Sequence, residues 1–212
     1  MRKYLLVGAV LLAAAGTGAA RRRHADTLPF YQAADRTPEW ITPGTAAWKG
    51  IHRVADFALT DQDGVTITAN DVAGKIYVAS FFYTGCKQLC PRLQSGLARV
   101  QQAFLDDSGV LILSHTVTPE VDNAAMLQRY ARVNGIVRGK WHLLTGRAAE
   151  INDLARNSYF AQLPDSVNGV PTTLRHSELL VLVDGQRRVR GVYDGSLMFD
   201  VERLIADIHT LR

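Results

Sequence analysis

An α/β sheet covered by helices on both faces is the fold class this sequence predicts, and three observations carry it. Residues 75–83 (KIYVASFFY) and 109–114 (GVLILS) are continuous runs of strand-forming apolar residues, the pattern of strands buried on both faces. Segments with apolar residues at helical spacing alternate with these runs. Near the C-terminus, two apolar segments flank Gly185 and Gln186, which predicts a hairpin and hence an antiparallel strand in the sheet.

The elements follow in order. Residues 54–59 alternate, Asp61 to Gly64 is a turn signal, and residues 65–68 complete a small N-terminal hairpin. After the 75–83 strand, Pro91 suits the first turn of a helix whose face is Leu93, Leu97, Val100, Gln101 and Phe104. The 109–114 strand leads to a helix over 122–133, a short strand over 140–144 and a helix over 147–157. Residues 158–175 read as a loop broken by Gly169 and Pro171, residues 178–184 and 187–193 form the hairpin, and 199–211 is the closing helix. A β-α-β-α-β-α-β-β-α order after an added N-terminal β-hairpin is the layout of a thioredoxin-like fold, with a central mixed sheet and helices on both faces.

A chain of 212 residues accommodates one such domain plus appendages. Five of its 24 basic residues (Arg2, Lys3, Arg21, Arg22, Arg23) fall in the first 23 positions, where there is no acid. The remainder, with 19 bases against 20 acids, is nearly neutral and gives no support to nucleic-acid binding. Between the charged flanks, residues 4–20 form a 17-residue uncharged run ending in small residues. That is an export signal or a short membrane anchor, so residues 1–23 are set apart and the rest is expected outside the cytoplasm, on the periplasmic side. No cysteine lies near the end of the run to carry a lipid. Residues 24–53, with three prolines, two tryptophans and no sustained period, read as a tether, and 54–212 as the folded domain, whose soluble part is expected to be monomeric.

The only cysteines, Cys86 and Cys90, sit between the end of a buried strand and the start of a helix. Reaction and ligand sites of open α/β sheets gather at the carboxyl ends of strands, and a helix N-terminus favours thiolate, as does the neighbouring Lys87. Four-residue spacing brings the two side chains to one face, about 5–6 Å apart at Cβ if helical. A disulfide across so short a loop removes little chain entropy, so a purely structural bridge is poorly placed here. Two thiolates with a third ligand, typically imidazole, would suit copper, because thiolates favour Cu(I) and imidazole suits Cu(II). His24, His52, His142 and His209 lie in the tether, in a strand or at the end of the last helix, where packing and surface roles are the plain reading. His115 ends the second strand and could face the site. His176 follows the long 158–175 loop directly before a strand, and a loop of that length is often functional.

In order along the chain, Phe57-Ala58-Leu59-Thr60-Asp61-Gln62-Asp63-Gly64, Gly74-Lys75, Phe81 through Pro91 with its CxxxC-Pro unit, Trp141-His142-Leu143-Leu144-Thr145-Gly146 and His176-Ser177 together resemble the Sco/SenC family over about residues 54–211. The resemblance implies a membrane-tethered copper protein of thioredoxin fold. Cys86, Cys90 and His176 would bind one copper ion, Cu(I) or Cu(II). The copper-receiving subunit of cytochrome c oxidase would be the partner in assembly of the CuA centre, by copper delivery, thiol reduction or both. Two positions depart from the family pattern: Lys87 stands where Pro is usual, and Thr118 where a DPE segment has Asp. The first adds positive charge beside the thiols; the second removes a carboxylate that could orient a ligand. Two other classes stay open: a thiol-disulfide oxidoreductase that uses Cys86 and Cys90 as a redox pair without a required metal, and a peroxidase of peroxiredoxin type with Thr84 beside one reactive cysteine.

Overall fold

The computed structural model describes residues 27–85, 90–161, 166–167, 170–171 and 178–212. Its first elements are a two-residue strand pair, β1 (Phe30–Tyr31) and β2 (Pro38–Glu39), and a single helical turn, α1 (Ala46–Lys49). The hairpin of β3 (Ala58–Thr60) and β4 (Thr66–Thr68) follows. Then come β5 (Ile76–Phe82), α2 (Cys90–Ala103), β6 (Val110–Thr116), α3 (Ala124–Val133), β7 (Trp141–Leu144) and α4 (Ala148–Asp153). A short bridge joins β8 (Ser166–Val167) to β9 (Val170–Pro171) inside the stretch expected to be loop. The chain closes with β10 (Leu179–Val183), β11 (Val189–Asp194) and α5 (Met198–Thr210).

The five-stranded sheet has the order β11-β10-β5-β6-β7. β5, β6 and β7 are parallel, and β10 is antiparallel to both β5 and β11, so the sheet is mixed as expected. Alternation along β5 decides the layers. Ile76, Val78 and Phe82 pack with Leu93, Leu97 and Val100 of α2, Leu127 of α3 and Val201, Leu204 and Ile208 of α5. Tyr77, Ala79 and Phe81 pack on the opposite face with Leu59, Ile67, Ile151 and Leu154. Each core side chain is withdrawn from water, at about 1.5–3 kcal/mol for a full-size aliphatic or aromatic residue, and the two clusters together hold the sheet.

Three local devices position the rest. Asp61 accepts from the amides of Asp63 and Val65 at 2.9 and 3.0 Å and closes the β3–β4 turn, where Gly64 takes φ +76°. Gln62 then lies along the edge of β7: its amide donates to Trp141 O (3.1 Å) and accepts from Leu143 N (2.7 Å), replacing a neighbouring strand and blocking edge pairing. Residues 27–50 are strapped to the far end of β11. There Arg190 donates to Pro29 O (2.9 Å) and Leu28 O (2.6 Å) with its guanidinium 4.1 Å above the Phe30 ring, and Arg188 lies 4.8 Å over Trp48. Asp184 accepts from both arginines, at 2.8 Å from Arg188 Nε and 3.2 Å from Arg190, so neither cation is buried without a counter-charge.

Candidate metal and thiol site at the carboxyl rim of β5

β5 ends at Phe82, and Tyr83, Thr84 and Gly85 carry the chain to Cys86. Cys86 and His176 lie outside the described residues; Cys90 is placed by its backbone as the first residue of α2. The described part is the frame around them. Because β10 runs antiparallel to β5 as its direct neighbour, Leu179 opens β10 at the same rim where β5 ends, three positions after His176 in the chain. The start of α2, the end of β5 and the start of β10 thus meet at one edge of the sheet.

A carboxylate locks that edge. Asp122, fully buried, accepts from Thr84 N (3.1 Å), from the Thr84 hydroxyl in a short bond, from Thr116 Oγ1 (2.5 Å) and from Thr118 Oγ1 (2.9 Å). Thr118 N in turn donates to Thr116 Oγ1 at 3.1 Å. The knot ties the exit of β5 to the exit of β6 two residues before Cys86, and charge-assisted bonds of this kind are about twice as strong as neutral ones. It is also why the helix begins at Ala124 and not at 122: Asp122 turns back to the strand ends, and Asn123 becomes the cap, accepting from Met126 N at 3.1 Å. Neither Asp122 nor Thr116 stands out in the sequence as a site residue, and Thr84 and Thr118 are noted there for other reasons, as a peroxidase-type neighbour of the cysteine and as a lost carboxylate. The available signal is hydroxyl residues at the ends of both apolar runs followed by an acid just before a helix. Tyr130 of α3 extends this wall, its ring 5.4 Å from Phe82; burial, and then the Asp122 charge, raises its phenol above the ordinary value.

The remaining histidines are accounted for differently. His142 Nδ1 is 3.0 Å from Asp61 Oδ2, at the hairpin, and His52 Nε2 is 2.9 Å from Ser158 O. His209 packs against Phe104 at 4.9 Å, at the opposite end of α2 from Cys90; His24 lies outside the described residues. His115 belongs to β6 proper, which runs through Thr116, and it is completely buried on the face away from α2. Its ring stacks on Phe81 at 5.2 Å and meets Tyr159 at 5.3 Å; Tyr159 is set there by a π-helical turn, Leu154–Ser158, whose wide ring closes with Tyr159 N donating to Leu154 O at 2.9 Å.

His115 Nδ1 donates to Ser80 O at 3.2 Å, which leaves Nε2 as the bare nitrogen, buried with no hydrogen-bond partner among the described residues. Burial therefore pushes the imidazole down to about 4. A folded-state value below the unfolded one means that the unfolded chain binds the extra proton first, so stability falls as pH drops from about 6.5 toward 4. With this shift the loss reaches about 3 kcal/mol. Urea midpoints at pH 7 and 4.5 are expected to show most of that loss in the wild type and little of it in His115→Leu; an unchanged pH dependence in the variant would contradict the assignment.

The comparisons with known proteins fit this frame. The family profile described as SCO1/SenC matches residues 47–212. The chain belongs to the SCO1/SenC family. A Bacillus subtilis SCO1 protein homolog is 26% identical over 161 residues, covering 74% of this chain and 81% of its own. Among solved structures, a SCO1/SenC family lipoprotein from Bacillus anthracis is 25% identical with a TM-score of 0.68, covering 76% of this chain and 95% of that one. Bradyrhizobium japonicum ScoI with copper bound is 25% identical with a TM-score of 0.61, covering 76% and 99%. The thioredoxin-like architecture expected of the sequence is therefore that of this SCO1/SenC chain. Within it, the Thr118 departure has a structural answer: the buried carboxylate at the rim comes from Asp122, four positions on, and Thr118 serves it as a hydrogen-bond donor.

Proposed function

We propose that this SCO1/SenC protein is a copper metallochaperone that carries one copper ion on Cys86, Cys90 and His176 and delivers it to the CuA-bearing subunit of cytochrome c oxidase. The observation that carries the reading is the meeting of chain segments at one rim. Gly85 and Glu178 are the described residues nearest in sequence to Cys86 and His176, Cys90 is itself placed by its backbone, and β5 and β10, which lead to two of those positions, are hydrogen-bonded neighbours about 4.8 Å apart. Three residues of chain span at most about 10 Å, so an imidazole three positions before Leu179 is within reach of a sulfur that follows Gly85. A soft dithiolate with one imidazole matches Cu(I) through sulfur and Cu(II) through nitrogen. The copper-bound Bradyrhizobium japonicum relative supports the same cargo.

The apolar 4–20 run, together with the lipoprotein nature of the Bacillus anthracis relative, supports an extracytoplasmic, membrane-held location. An anaerobic copper titration of the reduced full-length chain in detergent is expected to end at one Cu(I) per chain. The Cu(II) form is expected to show thiolate-to-copper charge-transfer absorption. A chain that binds no copper above background would overturn the reading and leave dithiol chemistry.

A further inference from the structure

Beside the rim, the sequence leaves three consecutive large apolar side chains in water: Leu197 is 55%, Met198 54% and Phe199 81% exposed. They form the first turn of α5 and the residue before it, where a surface helix ordinarily places polar residues, while Val201, Leu204 and Ile208 of the same helix are buried. α5 runs parallel to α2 along its whole length. A Cβ at Gly96 would lie 2.5 Å from Gly195 O and 3.0 Å from Val201 Cγ2, Arg99 pairs with Glu202 at 2.8 Å, and Phe104 meets His209. With Gly96 level with Val201, Cys90 lies about 9 Å and Met198 about 4.5 Å further toward the rim, at 1.5 Å per residue. The missing side chain at Gly96 lets α2 press against the backbone of Gly195, so the two helix starts stand close together. Pro91 in the first turn of α2 and Val121 (55% exposed), on the loop that carries Asp122, are exposed apolar residues at the same rim.

We infer that the Leu197–Met198–Phe199 corner is the docking surface for the copper acceptor, a protein that presents its own cysteine sulfurs within an apolar rim; this rests on the metallochaperone reading above. Transfer by ligand exchange requires an acceptor sulfur to bond Cu(I) before the Cu–S bonds to Cys86 and Cys90 and the Cu–N bond to His176 have all broken. The copper keeps its oxidation state, each acceptor thiol gives up its proton to water as it binds, and the two thiolates left behind take up protons in exchange. Such an exchange brings the partner against the start of α2, which carries Cys90, and the corner at the start of α5 stands beside that helix. Burying an aromatic anchor at the centre of a contact is what concentrates binding energy, and the Met198 thioether adapts to an irregular partner surface.

The test loads the full-length chain, in detergent, with Cu(I) and mixes it with the apo, reduced copper-receiving subunit of cytochrome c oxidase. Phe199→Ser and the double variant Leu197→Ser with Phe199→Ser are expected to bind copper like the wild type and to yield it to a small cuprous chelator at the wild-type rate. Their second-order transfer rate to the subunit is expected to fall more than tenfold. Val133→Ser, at an 86% exposed residue at the opposite end of α3, is the control and is expected to transfer normally. If the corner variants transfer to the subunit at the wild-type rate, or lose only a self-association of this chain, the corner proposal fails and the chaperone reading stands. If the wild type binds copper but neither docks with the subunit nor loads it, the target reading fails and takes the corner with it.

Discussion

Cys86→Ser and Cys90→Ser are each expected to lower copper affinity by more than about 100-fold, because even the loss of a group that merely orients a metal ligand costs about 10–100-fold. His176→Ala is expected to behave differently with the two oxidation states. Two thiolates still satisfy a soft Cu(I), whereas Cu(II) relies on imidazole nitrogen, so the variant should lose Cu(II) affinity more than Cu(I) affinity and should lose the absorption band of the mixed sulfur and nitrogen set. Competition against chelators of known affinity for each oxidation state measures both. Wild-type affinity of His176→Ala for both forms would remove the third ligand from the assignment. The same variants separate carriage from thiol chemistry. A dithiol oxidoreductase attacks through a thiolate and resolves the mixed disulfide with its neighbour, so it keeps its turnover in His176→Ala and loses it in either serine variant. A chaperone shows negligible disulfide-reductase turnover in every form.

How much of this is legible in the sequence follows from how local the causes are. The strands at 76–82 and 110–116, the helix after the cysteines and the closing hairpin are written in runs of apolar residues whose period is set by the backbone itself. The errors are at polar positions. β6 runs two residues past its apolar stretch because His115 is enclosed by Phe81 and Tyr159 and Thr116 is bonded to Asp122, partners 34 or more and 6 residues away in the chain. The tether conceals a clamp for the same reason: Arg190 is opposite Phe30 only once β11 is in place, and no local pattern announces a cation over a distant ring. The turn after α4 widens into a π-helix, which sets Tyr159 over His115, and helical spacing alone does not distinguish it from a continued α-helix. At the site, residue type and spacing name the cysteines, while the group that fixes their approach, Asp122, is hidden in a stretch whose sequence reads as a helix start.

Asp122→Ala is expected to destabilise the fold by about 3–5 kcal/mol, among the largest effects for a single substitution, since removing one member of a buried charged network leaves the others uncompensated. The arithmetic is visible in the partners. One backbone amide, from Thr84, and three hydroxyls, from Thr84, Thr116 and Thr118, lose their acceptor at once; the two buried hydroxyls, of Thr116 and Thr118, cost about 1–3 kcal/mol each when unsatisfied, and the part-buried Thr84 groups, which reach water, add less. Asp122→Asn keeps the shape and one acceptor oxygen for Thr84 N, and hydroxyls can rotate to accept from its amide, so a smaller loss is expected. Thr118→Val removes one donor with little change in volume and should cost about 1–2 kcal/mol. Denaturant unfolding of the three variants is thus expected to rank Asp122→Ala well below Asp122→Asn and Thr118→Val; an Asp122→Ala protein within about 1 kcal/mol of wild type would show that the knot is not what holds the rim. Because the knot fastens the strand two residues before Cys86, the folded Asp122→Asn protein also reports on the site. Its copper affinity should fall while Thr118→Val, which leaves both Thr84 bonds in place, stays close to wild type.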